Sequence, residues 1–230
     1  MDYIAAHELS FILLIVAVLF TLITQISVSS TFKKYSKIKS RNDMTGKDAA
    51  ELILRSNDLG HVRVEMIEGE LSDYYDPREK ALRLSEGVYN STSIAAISVA
   101  AHEAGHAIQD AERYPALVLR SVLVPTASIG SKLPMVLLLV GIFIPPLFPQ
   151  LITIAIYIYL FVVIFTIVTL PVEFNASRRA LKILDSSDYL AKAEMPAARS
   201  VLNAAAMTYV AAAFTALMML FRFIAIRGRN

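Results

Sequence analysis

The feature that most constrains this chain is residues 11–28, FILLIVAVLFTLITQISV, a run without a single charge. A helix rises about 1.5 Å per residue, so such a run can cross a hydrocarbon core of about 30 Å. Apolar runs follow at 133–148 (LPMVLLLVGIFIPPLF) and 151–170 (LITIAIYIYLFVVIFTIVTL), both uncharged, and over about 204–226, where Arg222 is the one charge. Backbone polar groups in lipid must be satisfied within their own segment, which makes runs of this length helices. The expected fold is therefore mainly α, a multi-pass membrane protein with about four transmembrane helices. Composition agrees: 56% of the 230 residues are hydrophobic, and the mean hydropathy is +0.54. Only Asp2 and Glu8 carry charge before the first run, and no small-residue cleavage site stands out, so it reads as a retained helix rather than a secretory signal.

Charge sets the orientation. Residues 32–42 carry Lys33, Lys34, Lys37, Lys39 and Arg41, which places this end of the first helix in the cytoplasm. The turn between 133–148 and 151–170 has no Lys or Arg, so the two runs form a hairpin whose turn faces outside. Arg178, Arg179, Lys182, Lys192 and Arg199 mark 171–203 as cytoplasmic again. The expected organisation is a transmembrane helix at 1–31, a cytoplasmic region at 32–132, a transmembrane hairpin at 133–170, a cytoplasmic helix at 171–203, and a last transmembrane helix with its tail at 204–230. Within the second part, 116–132 reads as interfacial, because Arg120, Pro125 and Gly130 argue against a span. The RGRN tail would end outside, against the charge rule. A net charge of +2 predicts no nucleic-acid partner, and the absence of Cys excludes disulfides and thiolate metal sites.

Residues 43–90 read as a small folded portion. Thr45 followed by Asp48 resembles a helix cap, and Gly60 suits the stop. Residues 62–67 and 80–85 alternate like strands, with the turn-like EGELSDYYDP between them, so a helix followed by a hairpin is expected. From 91 to about 112 the pattern is helical. Ser, Thr and Asn near 90–93 can cap it, and Tyr114 before Pro115 disfavours its continuation.

That helix carries ISVAAHEAGHAIQD (97–110). Residues four apart lie on one helix face, so His102 and His106 can aim both imidazoles at one Zn²⁺. Glu103 sits at the rim of that face, where it can take a proton from a zinc-bound water. Ala100, Ala101, Ala104, Gly105 and Ala107 are small and let other backbone approach. A catalytic zinc needs a third protein ligand and an open position. His7 lies outside by this topology and His61 at a domain edge, so Glu173 is the strong candidate. Pro171 suits a helix start, which puts Glu173 in the first turn of a helix leaving the membrane. Two spans separate His106 from Glu173, and an even number returns the chain to the same side. The alternative for Glu173 is an interfacial charge favoured by the helix dipole and paired with Arg178 or Arg179.

SVAAHEAGHAIQ followed at a distance by PVEFNASRRAL resembles the YugP-type membrane zinc metallopeptidases, and more loosely the HtpX and CAAX-prenyl endopeptidase group of gluzincins. The likeness extends over LSDYYDPREKALRLSEGVYNSTSIAAISVAAHEAGHAIQ and RSVLNAAAMTYVAAA, covering well over half the chain. It implies a membrane-bound Zn²⁺-dependent endopeptidase with a small α/β zincin-like cytoplasmic portion, one catalytic ion and a peptide or membrane-protein substrate. His102, His106 and Glu173 match the metal ligands, and Glu103 matches the catalytic base. HtpX-type enzymes carry Asp four residues after the ligand Glu. Here that position is Ser177, which leaves open what supports the histidines.

Two rival readings stand beside this one. A site-2-type intramembrane protease would place its motif inside lipid, but Glu103, Asp110, Glu112 and Arg113 are too polar for that, and Asp185 in ILDSS lacks the following Gly. A non-enzymatic metal-binding scaffold would have no use for Glu103. Tyr74 or Tyr75 could line a cleft, and Tyr209 could stabilise an oxyanion or simply pack. For substrate, KALRLS (80–85) is the candidate strand edge: Leu82 and Leu84 should pack on the motif helix and leave the backbone edge free.

Overall fold

Residues 3–228 are described by a computed structural model. Helix α1 (Tyr3–Tyr35) continues well past the apolar run and ends on Lys33 and Lys34, cations at the negative pole of its dipole. Helix α2 (Gly46–Ser56) starts on the expected capping box. Asp48 N donates to Thr45 Oγ1 and Thr45 N donates to Asp48 Oδ2, each at 3.1 Å. It ends on Asn57, three residues ahead of Gly60.

Among the described residues there is one sheet, of strands β1 (Arg63–Ile67), β2 (Tyr74–Asp76) and β3 (Ala81–Ser85), in the order β1-β3-β2. Both expected strands are present, but they do not form a hairpin. β1 and β3 run parallel, with Val64 opposite Leu82. The antiparallel partner of β3 is β2, inside the segment read as a turn, where the paired aromatics Tyr74 and Tyr75 favour extended backbone. Parallel neighbours need a crossover, and the residues holding β2 supply it. The substrate-edge expectation falls with this topology. β3 is the central strand, both its edges are paired, and Ala81, Leu82, Leu84 and Ser85 are all buried. Leu82 and Leu84 do join the core with the motif helix as expected.

After a short helix α3 (Glu86–Tyr89), helix α4 (Ile94–Ala111) begins at Ser93, whose Oγ accepts from Ala96 N at 3.2 Å. Helices α5 (Pro115–Gly130) and α6 (Leu133–Phe143) follow, then a 3₁₀ turn at Pro145–Leu147, α7 (Phe148–Ser186) and α8 (Met195–Arg227). The expected run at 133–148 is helical only as far as Phe143, because Pro145 and Pro146 donate no backbone hydrogen bond. Pro171 does not open a helix: it lies inside α7, and Glu173 is mid-helix. A proline there leaves only the Ile167 carbonyl without its usual donor, and the helix continues through it.

The chain divides into two compact units. In the first, formed by residues 3–24, Leu119–Pro171 and 208–228, α1 and α8 pack through Thr21 and Thr215 (Oγ1 atoms 3.0 Å apart) and through Phe20 edge-on to Phe214. Its outer surface is apolar: Leu19, Leu22, Ile23, Phe143, Tyr157 and Phe161 are all exposed. A surface of this kind suits lipid rather than water. Among the described residues, the stretches Ala5–Tyr35, Pro145–Ser186 and Met195–Arg227 are long and apolar enough to cross a membrane, while α6, with 11 residues, rises about 16 Å.

The second unit, Gln25–Val118 with Val172–Met207, has its own core. Ile53 and Leu54 from α2, Leu82 and Leu84 from β3, Ile97 and Ala101 from α4, Leu184 from α7 and Leu202 from α8 belong to one buried cluster. Thus α4 lies at the centre of this unit, and its polar residues are enclosed by packed apolar ones.

Candidate metal centre

Helix α4 is built mostly of small residues on the side that meets α7. A Cβ placed on Gly105 would stand 2.9 Å from the Ala176 carbonyl oxygen and 3.4 Å from the Ala176 Cα. The two helices therefore touch backbone to backbone at a point that only glycine permits. That approach sets the reach of the side chains one turn away. Glu173 on α7 brings Oε2 to 3.2 Å from His102 Nε2 and 3.5 Å from His106 Nε2. The two imidazoles stand nearly perpendicular, 4.8 Å between centroids.

These three residues are the group, among those described, whose ligand atoms could share one metal ion; the atoms lie within 4.8 Å of one another. Tetrahedral Zn²⁺ with bonds of about 2.0–2.1 Å places its ligand atoms about 3.3 Å apart, and the observed separations of 3.2 and 3.5 Å match that spacing. Glu173 is 1% exposed, and a carboxylate so enclosed needs positive or hydrogen-bonding partners to be tolerated.

The far sides of both rings are engaged as well. Ser177 Oγ lies 3.1 Å from His102 Nδ1, and Gln109 Oε1 lies 2.9 Å from His106 Nδ1. Ser177 thus supports His102, and its hydroxyl can accept a hydrogen bond from Nδ1–H. With Nδ1 protonated, each Nε2 presents a lone pair toward Glu173, the state a metal ligand requires. Gln109 and Asn175 were not singled out from sequence. The signal was present: Gln109 follows His106 by three residues on the same helix face, and Asn175 follows Glu173 by two.

Glu103 is nearly buried, yet its carboxylate has no hydrogen-bond partner among the described residues. Burial holds its pKa above the usual carboxylate range. The nearby imidazoles oppose that rise, and the charges of Glu173 and Asp73 reinforce it. A buried carboxyl left free of partners beside two imidazoles is suited to exchanging a proton with a small molecule held there.

The other sequence candidates lie elsewhere. His7 is on α1 in the first unit, and His61 is in the turn before β1. Asp185 pairs with Lys192 at 2.7 Å. The Tyr75 hydroxyl donates to Asp110 at 2.8 Å and Tyr74 stacks over Arg83, so both tyrosines fasten the sheet. Tyr209 belongs to the first unit.

The sequence profile of a family described as "Putative neutral zinc metallopeptidase" matches residues 10–228. The chain is also similar to a protein of Bacillus subtilis (strain 168) described as "Putative membrane protease YugP". The two are 45% identical over 208 residues, which cover 90% of this chain and 92% of the relative. No solved structure matches the chain.

The helix contact yields a direct test. Gly105→Ala forces the α4 and α7 backbones apart, so the variant should lose about 1–3 kcal/mol of stability and most of its bound metal. Gly87→Ala, with nothing within 4 Å of the added methyl, should match wild type in both. Thermal unfolding and metal content of the purified proteins measure this. Equal metal content in Gly105→Ala and wild type would show that the helix spacing does not set the ligand cluster.

Proposed function

The chain belongs to the family of neutral zinc metallopeptidases whose profile it matches, and on that premise we propose that it is a membrane-bound, zinc-dependent endopeptidase acting at the cytoplasmic membrane surface. The observation that carries this reading is the partner-free carboxylate of Glu103 beside a buried His102–His106–Glu173 cluster whose histidines are both tied down at Nδ1. A pure metal-binding scaffold would need the cluster and not the free carboxylate.

In this reading His102, His106 and Glu173 hold the ion through two Nε2 atoms and a carboxylate oxygen. Zinc, when bound, supplies Lewis acidity that lowers the pKa of a coordinated water to about 7 and polarises the substrate carbonyl. Glu103 takes the proton of the attacking water as its oxygen bonds to the scissile carbonyl carbon. It then delivers that proton to the leaving amine nitrogen as the C–N bond breaks. Water is consumed and one carboxyl and one amine terminus are produced. Ser177 and Gln109 keep both rings oriented while the carbonyl approaches.

The same cluster supports a topology. His106 and Glu173 meet within one unit, and in this reading the chain between them crosses the membrane an even number of times. The apolar part of α7 is one crossing. We place the other at 133–148, with Lys132 at the cytoplasmic interface and the Pro145–Leu147 turn outside, local thinning of the bilayer accommodating the short α6. Helix α5 then lies along the cytoplasmic surface with Val118, Leu119 and Val122 toward the lipid. With α1 and α8 this makes four crossings.

Glu103→Gln should retain one zinc per chain and lose at least about 100-fold in turnover of a mixed library of internally quenched fluorogenic peptides, because the ligands remain while the base is gone. His102→Ala should lose both zinc and turnover. Wild-type-like cleavage by purified Glu103→Gln protein would overturn the assignment.

The natural chain has no Cys, so single-cysteine labelling is clean. Lys37→Cys and Ser187→Cys should react with a membrane-impermeant maleimide only from the cytoplasmic side, and Gln150→Cys only from outside. Reaction of positions 37 and 187 from opposite sides would break the four-crossing assignment.

A further inference from the structure

Of the two imidazoles, His106 is held by the longer chain of hydrogen bonds. Its Nδ1 faces Gln109 Oε1 at 2.9 Å, and Gln109 is completely buried. The amide nitrogen of Gln109 donates twice, to the Val172 carbonyl oxygen and to Asn175 Oδ1, each at 2.9 Å. Asn175 Oδ1 also accepts from Arg179 Nε at 2.7 Å, and Arg179 closes a two-pronged pair with Glu112 at 2.9 and 2.6 Å.

The direction of every bond in this chain is forced from its outer end. Arg179 can only donate, so the Asn175 atom it meets is the oxygen. The Gln109 atom that meets the same oxygen must then be the NH₂ group, and the Val172 carbonyl demands the same. The Gln109 oxygen is left facing His106, and an oxygen there can only accept. His106 must therefore carry a proton on Nδ1, so that the neutral ring, the form that binds a metal, leaves Nε2 bare. A flipped Gln109 would place NH₂ against Nδ1, move the proton to Nε2 and aim an N–H at the ligand cluster.

We infer that Gln109 is a positioning residue that sets the tautomer and ring orientation of His106 for metal binding, with Asn175 and the Arg179–Glu112 pair fixing the direction of its amide. This rests on the zinc reading above. His102 is held differently: Ser177 offers a hydroxyl that can rotate to donate or accept, so its partner does not by itself impose a tautomer. The two ligands are thus set by unlike devices, and His106 is the one whose state is dictated.

Gln109→Met isolates this role. Methionine fills a similar volume without an acceptor. The Val172 carbonyl keeps its place in helix α7, and Asn175 keeps Arg179. The polar atom that loses its sole partner is His106 Nδ1. The full-length protein in detergent micelles, titrated with zinc against a chromophoric chelator, should bind the metal about 10–100-fold more weakly in this variant than in wild type. In zinc-loaded wild type, long-range ¹H–¹⁵N spectra of labelled histidines should show the proton of His106 on Nδ1 and protected from solvent exchange. The variant should lose that protection at His106 and keep the His102 signal.

Wild-type zinc affinity in Gln109→Met, or a weaker affinity with the His106 signal unaltered, would overturn the inference and leave the zinc reading intact. Should the variant fail to fold, the wild-type spectrum decides alone: a proton on His106 Nε2 contradicts the inference. Failure of wild-type protein to bind zinc at all would overturn the reading beneath it.

Discussion

The backbone contact between Gly105 and Ala176 is the constraint on which the candidate site depends. Side chains can bring an imidazole and a carboxylate from two helices onto one point only when the helix axes are close, and axes are close only where neither presents a bulky residue. Alanine and glycine along α4 meet that condition, and the cost is met by the core around them. The strand β3, helix α2 and the parts of α7 and α8 that belong to this unit pack around α4 and enclose it. The helix with the most polar chemistry is thus the most deeply buried helix of its unit.

Burying so many polar groups is tolerable because each is answered. Glu173 faces two Nε2 atoms, which answer it as N–H donors when protonated or through a shared cation when bare; His102 turns its other nitrogen to Ser177, and His106 turns its own to Gln109, which is itself satisfied by Val172 and Asn175. A half-satisfied network of this size would destabilise the fold by several kcal/mol, and a complete one rigidifies it. Among the described residues Glu103 is the exception in this cluster, a largely buried carboxylate without a hydrogen bond. Stability gives no reason for it, and proton transfer does.

The parts of the molecule legible in the sequence are those governed by local periodicity. The spacing of His102 and His106, the box of Thr45 and Asp48, the cap in the 90–93 stretch and the long apolar helices all follow from rules that act within a few residues. Glu173, 67 residues beyond His106, is reached by elimination of the other histidines, by the count of membrane crossings and by the family resemblance, and the structure does bring it to the histidines. Pairing of strands was not legible. Alternation at 62–67 and 80–85 says that each is a strand and nothing about direction, and the three-residue β2 is too short to show a period. Pro171 misled for a related reason: its local preference for a helix start was overridden by a helix continuing on both sides. Gln109 and Asn175 stood in plain view within the motif segments, but their role exists only once α4 and α7 are side by side.

The membrane-like unit and the site-bearing unit share α1, α5, α7 and α8, so one helix, α7, carries both a stretch long and apolar enough to cross a membrane and the carboxylate of the proposed metal site. The central claim is that two imidazoles and one carboxylate from α4 and α7 form the coordination shell of a single zinc. Zinc K-edge X-ray absorption on the purified protein tests it most directly. The expected result is a four-coordinate shell at about 2.0–2.2 Å, with the multiple-scattering signature of two imidazoles and the remaining ligands oxygen. A shell containing fewer than two imidazoles, or the signature of two imidazoles persisting after His106→Ala, would contradict it.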